Sequence, residues 1–148
     1  MKSGIGHLVR RWARSLSKRP PLEKDREWVR SQLLLGEWSL WGRMSPADQR
    51  HSIMVANRLT ALRSEAGRDE IAAALLHDIG KIVADIGTTK RVLATIFGPR
   101  TERWRKYLAH EELGLDLCRA AGSTELTLAI LADPAHPMAR HLRAADEI

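Results

Sequence analysis

The pair His77-Asp78 places an imidazole beside a carboxylate, within the run Leu75–Lys81 that follows an apolar stretch. Zinc, iron, manganese, cobalt and nickel accept this mixture of ligands, whereas calcium prefers oxygen alone. Four more residues of the same two types flank the pair: His51, His110, His136 and Asp146. Six ligands exceed what one open catalytic ion needs. The set therefore predicts a centre of divalent transition-metal ions, two of which could share Asp78 as a bridge.

The chemistry expected of such a centre is hydrolysis of a phosphate ester. Two ions about 3.5–4 Å apart lower the pKa of a water that bridges them and clamp a phosphoryl group from both sides. Taken singly, each histidine could instead be a hydrogen-bonded core residue. The metal interpretation depends on the whole set, because each member lies at the inward face or at the end of a predicted element, where unpaired polar groups are costly. His7 and His141 do not share this placement.

Helical spacing and capping residues predict the elements that must bring the ligands together. The run Ser45–Asp48 is a strong helix start, and we expect that helix to reach about residue 65 with His51 on its inward face. Further helices are expected at about 22–35, 69–78, 90–97, 104–121, 124–132 and 138–147. The sequence shows no sustained alternation typical of strands. The predicted fold class is therefore all-α, a compact helical bundle.

Residues 1–19 form a basic amphipathic segment with six Lys or Arg and no acid. Its apolar residues share one helical face: Ile5, Leu8, Val9, Trp12 and Leu16. Eighteen Lys or Arg against 18 Asp or Glu remain in residues 20–148, so the whole net charge of +6 lies in this segment. The segment could lie on an anionic membrane surface or a polyanion, or pack on its own domain. Pro20-Pro21 ends it. We therefore predict three units: 1–19, a helical lead-in at 20–44, and a metal-binding helical domain at 45–148.

Composition indicates a globular protein of ordinary size. The chain has 148 residues, 44% of them hydrophobic and 28% charged, which suits one domain with its own core. Neither a membrane span nor a signal peptide is recognised. The lone Cys118 excludes an internal disulfide, is expected to be buried, and fits a reducing cytoplasm. Arginine outnumbers lysine by 18 to 6, which points to a GC-rich bacterial genome.

The ordered motifs resemble the HD superfamily of metal-dependent phosphohydrolases, named after its paired histidine and aspartate. The matching pieces are Arg50-His51, Leu75–Lys81, His110–Gly114 and Ala144–Asp146. The resemblance implies a helical bundle in which two divalent ions are held. It assigns four ligands to the first ion: His51, His77, Asp78 and Asp146. It assigns His110 and His136 to the second ion, with Asp78 as the bridge.

The same resemblance implies roles in catalysis and substrate binding. Asp78 and Lys81 would be the catalytic residues, with Lys81 facing the phosphate of the substrate. Arg50 and Arg103 are expected to help bind a phosphorylated small molecule, for which a nucleotide is the leading candidate. Further basic residues that could hold phosphates are Lys90, Arg91, Arg105 and Lys106. The Gly-Tyr-Pro motif of the cyclic di-GMP hydrolases is absent after His77-Asp78, so the resemblance indicates the superfamily and leaves the subfamily open.

Two other functions remain open at this point. A few relatives with six such ligands hold two irons and use oxygen to cleave a carbon bond. Alternatively, the domain could bind a nucleotide signal without turning it over, with residues 1–19 as its tether. Iron content and oxygen consumption discriminate the first alternative from hydrolysis, and an intact ligand set argues against the second.

Overall fold

The computed structural model describes residues 17–84 and 112–148, and all regular elements in these ranges are α-helices. They are α1 (Glu23–Gln32), α2 (Leu35–Trp41), α3 (Pro46–Leu62), α4 (Arg68–Leu76), the short α5 (Lys81–Ala84), α6 (helical over 112–120), α7 (Glu125–Ala132) and α8 (Pro137–Glu147). The prediction of an all-α fold is confirmed. Residues 1–16 and the predicted helix at 90–97 lie outside the described residues, and residues 17–19 are not helical.

Helix α4 is the centre of the bundle. All six residues from Ile71 to Leu76 are buried, and a helix that is apolar on every side must be surrounded by other elements. It packs against α3, α7, α1 and α2, while α8 packs against α3 and α7. The Thr127 hydroxyl of α7, itself buried, donates to the Asp69 carbonyl at 3.0 Å and ties the two helices together. The first turn of α4 is thus fixed to α7, and burial of the residues up to Leu76 holds the end of the helix from which His77 follows.

The start of α3 is fixed by its own sequence and by a buried tryptophan. The Ser45 hydroxyl accepts from the backbone N–H of Asp48 at 3.1 Å, and Pro46 occupies the first helical turn, where a missing N–H costs nothing. The Trp41 indole, 1% exposed, donates to the Ser52 hydroxyl at 3.0 Å. Trp41 is therefore a core residue that anchors α3 against the element before it.

We expect Ser45→Ala to lower the free energy of unfolding by about 1 kcal/mol, the usual value of a serine N-cap. The substitution removes the acceptor for the Asp48 N–H and leaves that donor without its cap. Urea unfolding measures the change. Ser39→Ala on α2 is the comparison, because the exposed Ser39 hydroxyl only donates back to the Leu35 carbonyl within its own helix. Equal stabilities of the two variants would contradict a capping role for Ser45.

The predicted helix at 22–35 was wrong in its C-terminal part, because the chain forms two helices there. Leu33 and Leu34 adopt extended backbone conformations between α1 and α2. The Glu37 carboxylate then accepts from the backbone N–H of Leu34 at 2.8 Å and begins α2. Gly36 lies inside α2, where an added Cβ would stand 2.1 Å from the Ala121 carbonyl oxygen. This glycine permits a close approach between two backbones.

The other predicted boundaries that fall within residues 17–84 and 112–148 agree with the observed ones to within a few residues. Helix α3 ends at Leu62 rather than at about residue 65, and α6 is followed by Gly122, whose φ of 83° a glycine adopts without strain. Cys118 of α6 is buried as expected. Burial, with a smaller effect of the Glu37 carboxylate, raises the pKa of its thiol to about 12.

No helix within the described residues combines the length and the apolar character needed to cross a membrane.

Candidate metal centre

Three helices deliver the four predicted ligands of the first ion. His51 lies in the second turn of α3, and Asp146 lies in the last turn of α8. His77 ends α4, and Asp78 follows it in the turn that leads to α5. Because α3 packs against both α4 and α8, the ends that carry these side chains meet on one side of the bundle.

The polar atoms of the four side chains form one compact cluster. His51 Nε2 lies 2.8 Å from Asp146 Oδ1 and 3.9 Å from Asp78 Oδ2. His77 Nε2 lies 3.5 Å from Asp78 Oδ2 and 3.7 Å from Asp146 Oδ1. One ligand atom from each of His51, His77 and Asp78 lies within 4.8 Å of the others, as a shared ion would require. We call these four residues, with Asp146 included, the metal cluster.

The tautomer of His77 favours metal binding. Its Nδ1 lies 2.8 Å from the Ala74 carbonyl oxygen, and a carbonyl can only accept, so Nδ1 carries the proton. The neutral ring then presents a lone pair at Nε2, which is buried and has no hydrogen-bond partner among the described residues. A buried polar atom without a partner is costly. A divalent ion fits this arrangement, since histidine ligands commonly donate their second N–H to a carbonyl.

The electrostatics of the metal cluster favour a cation. Burial alone would lower the pKa of His77, but the carboxylates of Asp146 and Asp78 outweigh it and raise that pKa above its ordinary value of 6.5. In return, the imidazoles of His77 and His51 hold the pKa of Asp146 well below its usual range, although partial burial opposes them. The same carboxylates that stabilise a proton on His77 would stabilise a metal ion, and ligation would release that proton.

His51 is already linked to a carboxylate of the cluster. At 2.8 Å its Nε2–H donates to Asp146 Oδ1, and an ion bound between them would replace that proton. The side chains of His51, Asp78 and Asp146 are 24%, 23% and 34% exposed. The cluster is therefore open to solvent on one side, as a catalytic metal site must be.

Lys81 lies beside the metal cluster. Its ammonium is 2.6 Å from Asp78 Oδ2 and 3.8 Å from Asp48 Oδ1. The predicted role of Lys81 in binding a substrate phosphate remains a prediction. Its position next to a proposed metal ligand is compatible with that role.

One residue near the metal cluster, Asp48, was missed in the sequence as part of the site. The sequence identified it only as part of the helix start at Ser45–Asp48, yet its carboxylate lies 3.8 Å from the Lys81 ammonium. It precedes His51 by three residues and shares its face of α3. This helical spacing from His51 was a signal that could have been used.

The described part of the structure does not place the other predicted site residues in the metal cluster. His136 caps α8, where its Nδ1 accepts from the Met138 N–H at 3.2 Å, so the proton of its neutral ring lies on Nε2. Arg50 donates to the backbone carbonyls of Arg19 and Ser17, the latter at 2.8 Å. His110 and Arg103, like Lys90, Arg91, Arg105 and Lys106, lie outside the described residues. The second ion and these substrate contacts stay predictions.

One contact connects α6 with the turn of the metal cluster. An added Cβ on Gly114 would stand 3.1 Å from the Gly80 backbone nitrogen and 3.3 Å from a methyl of Ile79. The two motifs recognised in the sequence, His110–Gly114 and Leu75–Lys81, therefore touch through their glycines. A side chain larger than hydrogen at Gly114 would require Ile79 or Gly80 to shift by a few tenths of an ångström.

A cavity of about 660 Å³ lies elsewhere, between residues 17–22 and α3. Arg50, Ile53 and Arg58 line it, and none of the metal cluster does so among the described residues. The cavity is thus a feature separate from the metal cluster, which is reached directly from its solvent-exposed side.

A family model matches most of the chain, including the four residues of the metal cluster. Neither a curated protein nor a solved structure matches the chain. The family model described as HD domain matches residues 49–146, a range that begins two residues before His51 and ends at Asp146. Since this match covers well over half of the 148 residues, the chain belongs to the HD domain family, as its motifs predicted.

Proposed function

We propose that this chain is a metal-dependent phosphohydrolase that cleaves a phosphomonoester or phosphodiester, with nucleotides as the substrate class. The observation that carries the proposal is the metal cluster, in which each of two imidazole nitrogens lies within 3.9 Å of both carboxylates. An ammonium group 2.6 Å from one of those carboxylates adds a cation suited to a phosphate. Membership of the HD domain family supports the reaction class.

The first ion would be held by His51 Nε2, His77 Nε2, Asp78 Oδ2 and Asp146 Oδ1. Manganese, iron, zinc, cobalt and nickel all suit this mixture of nitrogen and oxygen. When bound, a divalent ion supplies Lewis-acid chemistry: it activates water and offsets charge that develops on the phosphoryl group. A second ion would require His110 and His136 in addition.

The side chains of the cluster orient the ligand atoms and balance the charge of the site. The Ala74 carbonyl fixes the His77 ring so that its lone pair faces the cluster. Asp78 and Asp146 supply two negative charges. Lys81 presents its ammonium at the exposed edge, with its side chain 55% exposed, where a phosphate oxygen can reach it. Charge-assisted hydrogen bonds of this kind are stronger than neutral ones.

The proposal predicts that hydrolysis depends on added metal. Protein stripped with a chelator should not hydrolyse p-nitrophenyl phosphate, bis-p-nitrophenyl phosphate or a panel of nucleotides, and Mn²⁺ or another divalent ion should restore turnover of at least one of them. His141→Ala is the matched control for His77→Ala, because His141 is an exposed histidine of α8. Loss of activity in both variants, or turnover in the stripped protein, would contradict the proposal. Bound iron together with oxygen consumption, in the absence of hydrolysis, would instead favour the di-iron oxygenase alternative.

The cellular setting proposed for this reaction is the cytoplasm. The chain has a single cysteine, which is buried as a free thiol, and such a chain requires no oxidising compartment.

A further inference from the structure

The Lys81 ammonium lies between two carboxylates, and only one of them belongs to the metal cluster. Asp78 Oδ2 is 2.6 Å away and Asp48 Oδ1 is 3.8 Å away. Asp78 comes from the turn after α4, whereas Asp48 comes from the first turn of α3. Two separate elements therefore contribute to holding one cation.

The Asp48 carboxylate is fixed by contacts of its own. The Ser45 hydroxyl donates to Asp48 Oδ2 at 2.6 Å, while the Asp48 N–H donates to the same hydroxyl at 3.1 Å. With Oδ2 occupied, Oδ1 is the oxygen that faces Lys81. The side chain of Asp48 is 26% exposed and that of Lys81 is 55% exposed, so the carboxylate is the more enclosed partner and the lysine is the more exposed one.

Metal binding would change which of the two carboxylates attracts the Lys81 ammonium more strongly. An ion ligated by Asp78 would compete with Lys81 for that carboxylate, and its positive charge would repel the ammonium. Asp48 is held by Ser45 and is not one of the proposed ligands, so its charge stays available. A shift of about 1 Å would bring the ammonium from 3.8 Å to ordinary hydrogen-bond distance of Asp48 Oδ1.

We propose that Asp48 is a positioning residue that keeps the Lys81 ammonium beside the occupied metal cluster, where it binds a phosphate oxygen of the substrate. The inference rests on the proposed function and deepens it by giving a role to a residue outside the metal ligands. Without Asp48, the ammonium would be repelled into solvent once the metal is bound, and the phosphate would lose an ordered donor.

A first-turn acid could instead serve only the helix that carries it, because negative charge stabilises a helix N-terminus. Asp69 is the matched control for that possibility. It lies in the first turn of α4, its side chain is 27% exposed, and it pairs with Arg68 at 2.7 Å. Asp69→Asn removes a helix-stabilising charge and an ion pair without touching Lys81.

The test measures binding of inorganic phosphate to Mn²⁺-loaded protein by calorimetry, with manganese per chain counted by plasma mass spectrometry. Lys81→Met should weaken phosphate binding about tenfold, as loss of a hydrogen bond from a charged group does. Asp48→Asn should weaken it about threefold, the scale of a solvent-exposed ion pair. The double variant should bind no more weakly than Lys81→Met alone. Asp48→Glu, which keeps the carboxylate, should recover part of the affinity.

Every variant is expected to carry as much manganese as the wild type, because neither Asp48 nor Lys81 is a ligand, and Asp69→Asn should bind phosphate normally. Wild-type affinity in Asp48→Asn, equal losses in Asp48→Asn and Asp69→Asn, or additive losses in the double variant would each overturn the inference while leaving the proposed function intact. A wild-type chain that takes up neither Mn²⁺ nor Fe²⁺ would overturn both.

Discussion

Asp78→Ala is expected to abolish metal binding and hydrolysis together. Asp78 Oδ2 lies 3.5 Å from His77 Nε2, 3.9 Å from His51 Nε2 and 2.6 Å from the Lys81 ammonium. The substitution removes one of the two carboxylates of the metal cluster and leaves the ammonium without its nearest counter-charge. Groups that merely orient metal ligands are worth about 10–100-fold in affinity or activity, so loss of a ligand should cost more than about 100-fold.

The experiment compares metal per chain and hydrolysis in Asp78→Ala and in Asp116→Ala. Asp116 is an exposed aspartate of α6 whose carboxylate pairs only at the surface with Arg119, so its loss should change neither quantity. Circular dichroism checks that both variants fold. Wild-type metal content or wild-type turnover in Asp78→Ala would contradict the mechanism. Among the described residues, no other carboxylate contacts both histidines and Lys81.

Leu59→Ala should lower the free energy of unfolding by about 2–5 kcal/mol, the range measured for leucine truncations in cores. Leu59 is 1% exposed and lies on α3, the helix that packs against both α4 and α8. The cavity left behind would loosen the two interfaces that bring His51 to His77 and Asp146. Since domains are stable by only about 5–15 kcal/mol in total, this loss is large.

Urea unfolding measures the effect, and Leu62→Ala supplies the control. Leu62 ends the same helix but is 50% exposed, so its truncation should cost less than about 0.5 kcal/mol. Mn²⁺ should partly restore the stability of Leu59→Ala, because a ligand that binds only the folded state stabilises it. Equal losses for Leu59→Ala and Leu62→Ala would show that the packing described for α3 is wrong.

The residues of the metal cluster could be predicted because their chemistry and their helical placement agree. An imidazole or carboxylate at the inward face or end of a helix has few ways to be satisfied. The capped start at Ser45 and the apolar stretch before His77 gave the elements that carry His51 and His77. Asp146, four residues after the buried Leu142, lies on the inward face of α8. The HD domain match over residues 49–146 spans all four.

Other features depend on tertiary contacts that no local pattern encodes. The break between α1 and α2 follows from extended conformations at Leu33 and Leu34, although both leucines favour helix. Gly36 lies within α2 at a point where the Ala121 backbone leaves no room for a Cβ. His136 was predicted as a ligand from its type, whereas its capping contact with Met138 depends on the geometry of the helix that follows it.

The central claim is that His51, His77, Asp78 and Asp146 form a metal centre. The most direct test purifies the chain without added metal or chelator and counts metals per chain by plasma mass spectrometry. We expect about one equivalent of a divalent transition metal, and about two if His110 and His136 complete a second site. His77→Ala should lose the metal, whereas His141→Ala should keep it. A wild-type chain that carries no transition metal and gains none from Mn²⁺ or Fe²⁺ would contradict the claim.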